Sequence, residues 1–235
     1  MAGKDVKAPI REPRGSRRRP AIPPLKIDRI KPRSSLSRVQ VVADQRRRIL
    51  DGFAIALAYH GYEDTKISDI VELAGVSRPT FYEHFEGKEQ CFMAAYEEGV
   101  QRLSDVVEGA VRAERGRPAR LSSGLRAGLN LLAANPPLAH LLLVESLAAA
   151  RPARHEHERT LARLAQALRT FGPTGAETIP EETARLLAGG LASLLSGRML
   201  AGEAERLADS HDLLLAYLLA PSLPANSRAA GERRA

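Results

Sequence analysis

The sequence predicts an all-α protein, and three observations carry that expectation. Apolar residues make up 44% of the chain and aromatic ones only 4%, so the core must be aliphatic, mostly Leu and Ala. A chain rich in Leu and Ala, with little Thr, Tyr or Ile, favours helix over sheet. Apolar residues also recur at three- and four-residue spacing, between Gly and Pro breakers. At 235 residues the chain suffices for one large or two modest domains, with a core that needs no covalent staples.

Residues 1–36 read as a disordered basic arm. Pro9, Pro13, Pro20, Pro23, Pro24 and Pro32 break any helix there. The first 40 residues hold twelve Lys and Arg against three acids, a net +9 in a chain whose total is +7. The basic balance therefore belongs to the arm, and the remaining residues are slightly acidic. Such an arm either follows phosphates or enters a minor groove, or it is simply a solvated tail.

From Ser37 the pattern turns helical. Val42, Ile49, Leu50, Phe53, Ala54, Leu57 and Ala58 share a spacing, Arg46, Arg47 and Arg48 crowd the first turns, and Gly61 stops the helix. A short second helix is expected after Thr65 as its N-cap, with Ile67, Ile70, Val71 and Ala74 on one face. Gly75 supplies a turn, Ser77 caps a third helix with Pro79 in its first turn, and Phe81 and Phe85 point back towards the other two. A long helix starts near Lys88 and runs to about Arg115. Further helices are expected at about 119–134, 137–150, 153–171, 181–201 and 203–219, about nine in all. The tail 221–235 is expected to be disordered.

Two short helices joined at Gly75-Val76 behind a longer one make a helix-turn-helix candidate. Phe81 and Phe85 give the third helix its buried face. Ser77, Arg78, Pro79, Thr80, Tyr82, Glu83 and His84 surround them, and Lys88 opens the next helix. The stretch GYEDTKISDIVELAGVSRPTFYEHFEGKEQCF, Gly61–Phe92, resembles the TetR family of bacterial repressors through its AGVS, its T-[aromatic]-Y-x-H-F core and the following Lys-Glu. The motif covers about a fifth of the chain.

The resemblance implies a three-helix DNA-binding domain over 37–92 and a larger helical ligand-binding and dimerisation domain over 93–220. It implies that the third helix enters the major groove, with Ser77, Arg78, Pro79, Thr80, Tyr82, Glu83, His84 and Lys88 at the matching positions. The chemistry divides the work. Ser77, Tyr82, His84 and Lys88 suit phosphate oxygens. Arg78 suits a guanine edge, and Pro79 or the Thr80 methyl suits a thymine methyl. Thr65, Lys66 and Ser68 could hold the neighbouring backbone. Glu83 either accepts from cytosine N4, pairs with a basic neighbour, or faces solvent. Tyr82 is alternatively a core aromatic, His84 a capping residue and Lys88 a helix-end decoration.

About 120 further residues suggest a second task. Leu103, Val107, Leu125, Leu129, Leu132, Leu141, Val144, Leu164 and Leu168 would line the interior of the helical bundle. The resemblance implies a ligand cavity there, for which Asn130, His140 and Glu145 are the candidate polar anchors of a small hydrophobic ligand. It also implies a homodimer formed by the last two long helices. Leu187, Leu191 and Leu194 make one stripe, Gly190, Ser193 and Gly197 a second, and Leu207, Leu214, Tyr217 and Leu218 add the final helix; the alternative is ordinary packing within the chain. A dimer would read a palindromic operator on double-stranded DNA.

No paired carboxylates, nucleophile–base set, phosphate loop or metal spacing points to an enzyme, a metal or a cofactor. His155-Glu156-His157 reads as a solvated charged stretch, because neighbours two apart on a helix point to different sides. The lone Cys91 reads as a small core residue, or less simply as a redox group. No membrane span or secretory signal is evident, so a cytoplasmic protein is expected. The leading expectation is a ligand-released repressor. The alternatives are a DNA-binding regulator without a small-molecule effector and a helical lipid-binding enzyme.

Overall fold

The computed structural model describes residues 37–146, 151–170 and 179–219. Expectations for the basic arm 1–36 and the tail 221–235 lie outside them. Nine helices are formed among these residues: α1 (Arg38–Asp64), α2 (Ile67–Ala74), α3 (Arg78–His84), α4 (Lys88–Ala113), α5 (Arg117–Ala134), α6 (Pro136–His140, continued by a π-turn Leu141–Glu145), α7 (Arg151–Thr170), α8 (Glu181–Leu200) and α9 (His211–Leu219).

Local chemistry explains most boundaries. Ser37 starts α1 with a reciprocal cap, its hydroxyl accepting from the Gln40 amide while the Gln40 side chain accepts from the Ser37 amide. Gly61, at φ 74°, breaks α1 as expected. The cap of α2 is shifted by one residue from the expectation. Thr65 is buried and its hydroxyl donates to the Gly61 carbonyl at 2.6 Å, so it closes α1, while Lys66 holds the N-cap position of α2 and its amide donates to Asp69. Gly75, at φ 62°, ends α2 in the left-handed conformation.

The first three helices and the start of α4 enclose one core of Ile49, Leu50, Phe53, Leu57, Ile70, Phe81, Phe85, Cys91 and Phe92. Val42, expected inside, is 47% exposed, because the first turns of α1 run beyond the reach of α2 and α3. Burial pushes the Cys91 thiol up to about 12, which makes it a core residue and not a redox group. α1 crosses α2 so closely that a Cβ on Gly52 would lie 2.9 Å from the Ala74 amide nitrogen.

In the body, α4 and α5 pack closely. A Cβ at Gly124 would meet the Val111 side chain at 2.8 Å, and one at Gly128 would meet Val107 at 3.2 Å. α5 begins two residues earlier than expected, with Pro118 accommodated in its first turn. The expected helix 203–219 is divided. Gly202 turns the chain at φ 77°, two 3-10 turns follow over Ala204–Arg206 and Ala208–Ser210, and only then does α9 begin. His211 fixes that start from a buried position, bonding Ser122 and Arg126 of α5.

Candidate nucleic-acid interface and apolar slot

Helix α3 is short, and its placement comes from two rings. Phe81 and Phe85 are buried beneath it with centroids 5.8 Å apart. The Ser77 hydroxyl caps it by accepting from the Thr80 amide at 3.2 Å. With that face anchored, Ser77, Arg78, Pro79, Tyr82 and Glu83 are exposed, while Thr80 and His84 are half-buried. Tyr82 is 51% exposed with its ring edge-on to Phe81, which removes the core alternative. Glu83 forms no ion pair among the described residues, so the basic-neighbour option is not realised.

Lys66 and Ser68 are exposed beside α3, at the start of α2. Thr65 is not available to a phosphate, being 2% exposed with its hydroxyl committed to Gly61. Lys88 is also diverted. Its ammonium donates to the Tyr62 and Glu63 carbonyls at 2.7 and 3.2 Å and lies 4.5 Å from the centre of the Tyr62 ring. The charge thus satisfies carbonyls at the end of α1. Arg48 does the same for α2, donating to Ala74 and Gly75 carbonyls at 2.9 and 3.1 Å.

The body holds a cavity of about 210 Å³ between α4, α5, α7 and α8. Its walls include Leu103, Val107, Leu125, Leu129, Leu132, Leu164 and Leu168, as the sequence led one to expect, and they are almost wholly apolar. The expected anchors are not in those walls. Asn130 is exposed on the outside of α5. His140 and Glu145 are buried in the joint with α1, where Glu145 accepts from the Tyr62 amide at 2.9 Å and faces His140 Nδ1 at 3.6 Å. The polar groups that do reach the slot are Tyr96, Arg120, His157 and Thr160. His157 was expected in a solvated stretch, yet it is 8% exposed, whereas His155 does face outward.

The π-turn borders the slot. Ser146 closes it by donating its amide to the Leu141 carbonyl, five residues back. The Ser146 hydroxyl donates to the Leu142 carbonyl at 2.7 Å, and the Ser196 hydroxyl lies 2.7 Å from the Leu143 carbonyl and 2.8 Å from that of Ala192, which share its proton.

The proposed pairing surface also needs correction. Leu187, Leu214 and Leu218 are 5%, 1% and 4% exposed and pack within the chain, as does Leu207, while Leu191 lines the slot and Leu194 packs against the core. Gly190 is small for an intrachain reason, since Tyr217 crosses it and donates to the Leu186 carbonyl at 3.0 Å. The face left open runs through Leu186, Ser193, Gly197 and Leu200, with Leu213 and Tyr217 of α9.

A buried-faced, externally polar third helix behind a left-handed glycine turn is the arrangement of a helix-turn-helix DNA-binding unit. Residues 49–95 match the family model of bacterial regulatory proteins, tetR family. The chain is 36% identical over 75 residues to the HTH-type transcriptional repressor AcnR of Corynebacterium glutamicum, a match covering 31% of this chain and 40% of that relative. It is 32% identical over 65 residues to the HTH-type transcriptional repressor Rv1474c of Mycobacterium tuberculosis, covering 28% and 35%. The chain therefore matches well under two thirds of these relatives' length.

Over the whole fold it is similar to the fatty acid degradation regulator FadR of Bacillus halodurans, with a TM-score of 0.65 at 19% identity, covering 81% of this chain and 97% of that one. It is equally similar to FadR of Bacillus subtilis in complex with stearoyl-CoA, with a TM-score of 0.65 at 20% identity, covering 73% and 96%. No single described helix is long and apolar enough to cross a membrane.

Proposed function

We propose that this protein is a transcriptional repressor that binds a palindromic operator as a homodimer and is released by a small hydrophobic ligand in the slot. The observation that carries the DNA-reading part is α3, planted on Phe81 and Phe85 with its polar face outward. Arg78 is the base reader best suited to a guanine edge, and Pro79 and Thr80 suit a thymine methyl. Ser77, Tyr82, His84, Lys66 and Ser68 suit phosphates, and Glu83 is left to cytosine N4 or solvent. The Ser77 hydroxyl serves the cap at the same time.

Pairing is assigned to the open face of α8 and α9. Leu186, Leu200 and Leu213 are 73%, 64% and 58% exposed there, and Gly197 leaves room for a second helix to approach. Two heads held by that face would read two half-sites. The ligand reading is supported by the apolar slot and by likeness in fold to a regulator solved with stearoyl-CoA. Selection of bound sequences from a random DNA pool, followed by gel-shift titration, tests the reading. Arg78→Ala and Tyr82→Ala should abolish sequence-selective binding, and unchanged affinity for the selected site refutes it.

A further inference from the structure

The slot distinguishes its two ends chemically. On α4 its wall runs from Tyr96 to Val111, a rise of about 22 Å at 1.5 Å per residue. An apolar slot drawn out over that length suits an extended aliphatic chain. Arg120 stands at the Val111 end and donates its Nε proton to the Val111 carbonyl at 3.2 Å. Tyr96, His157 and Thr160 stand at the other end, against the π-turn.

Hydrogen-bond accounting fixes what that second end offers. The Ser146 hydroxyl gives its one proton to the Leu142 carbonyl at 2.7 Å, so at its 3.1 Å contact with His157 Nδ1 it must accept. His157 is therefore protonated on Nδ1, and Nε2 keeps its lone pair as an acceptor. Burial holds the ring below the ordinary histidine range, favouring this neutral form against the smaller opposing effect of Glu158. The Thr160 hydroxyl likewise gives its proton to the Glu156 carbonyl at 2.9 Å. The protons of the Ser146 and Thr160 hydroxyls and of His157 Nδ1 are thus turned into the protein, and lone pairs remain on His157 Nε2 and Thr160.

We propose that the slot takes an unbranched aliphatic chain ending in an uncharged hydrogen-bond donor, an alcohol in the simplest case, with its hydroxyl on His157 Nε2 and its tail running between α4 and α5 towards Arg120. This rests on the reading of the slot as the effector site. A carboxylate at this end would meet the lone pairs of His157 Nε2 and Thr160. An ester or thioester carbonyl has no proton to give.

Calorimetric titration of the full chain with 1-octanol and 1-methoxyheptane tests this, since the two have equal heavy-atom counts and only the alcohol donates. The alcohol should bind about tenfold more tightly to the unsubstituted protein, a difference of about 1.4 kcal/mol. His157→Leu should remove that advantage and leave ether binding within about twofold. Equal affinities in the unsubstituted protein overturn the proposal, as does an advantage that survives His157→Leu or disappears in Arg120→Met. Failure of both probes to bind overturns the effector reading itself, and the inference with it. Should His157→Leu not fold, the Nε2 resonance of His157 in the unsubstituted protein decides. It should move with octanol and not with the ether, and an unmoved resonance overturns the proposal.

Discussion

Replacing Glu145 with Ala should loosen the joint between the DNA-reading head and the body. The carboxyl is 1% exposed and accepts the Tyr62 amide proton at 2.9 Å, just past the break at Gly61. Leaving that amide without its acceptor costs about 1–3 kcal/mol. The lost methylene adds about 0.8 kcal/mol of apolar burial. The expected destabilisation is thus about 2–4 kcal/mol, or a fall in Tm of roughly 4–16 °C for a chain of this size. Glu145→Gln keeps an oxygen in place and should cost less than about 1 kcal/mol. Urea unfolding followed by circular dichroism measures both variants, and hydrogen exchange at Tyr62 reads the joint directly. Exchange protection there should fall roughly 5- to 150-fold in Glu145→Ala. If the Ala and Gln variants prove equally stable, or if Tyr62 exchanges as before, the joint is not held in this way.

Gly52→Ala should destabilise by about 1–3 kcal/mol, because its Cβ would meet backbone that cannot swing aside, 2.9 Å from the Ala74 nitrogen and 3.0 Å from the Ile70 oxygen; an unchanged urea midpoint contradicts the packing. Cys91, with its thiol pushed up to about 12, should resist iodoacetamide at pH 8 in the folded chain and react once urea unfolds it. Acidification should act through His157. Its folded value is lowered from 6.5, so the unfolded state binds the proton first, and the stability present above pH 6.5 is lost as pH falls below it. The drop in urea midpoint from pH 7.5 to 5 should be smaller in His157→Leu than in the unsubstituted chain.

The head was legible in the sequence because its signals are local. Gly61, Gly75, Ser77 and Pro79 each act within one turn, and Phe81 and Phe85 lie four residues apart on one face. The shift from Thr65 to Lys66 as the cap arose because a threonine hydroxyl can serve either helix, and here it reaches back to Gly61. The pairing face was harder to place. α8 is apolar on two sides, and spacing alone does not say which side meets its own chain; packing gives Leu187 to the interior and leaves Leu186 outside. A signal for His157 was present, since His157, Leu161, Leu164 and Leu168 follow at helical spacing and all line the slot. For Glu145 the sequence held no such clue, because its partner Tyr62 lies 83 residues away.

The π-turn Leu141–Glu145 is where the slot and the head meet in a few consecutive residues. Leu142 and Leu143 belong to the slot wall, and Glu145 reaches Tyr62. Tyr62 in turn offers its carbonyl to Lys88, the first residue of α4. A π-turn holds one residue more than the α-helical count requires, and its surplus carbonyls are satisfied here by the side chains of Ser146 and Ser196 rather than by the helix itself. Ser146 also bonds His157, so the same hydroxyl senses the polar end of the slot and holds the turn. An occupant that displaced Leu142 or drew on His157 would therefore disturb the turn that positions Glu145, about 1–3 kcal/mol being at stake in that one bond. That is within the range by which one bound ligand ordinarily alters the affinity for another. On the proposed reading, release of DNA by such an occupant would pass through this one turn of helix.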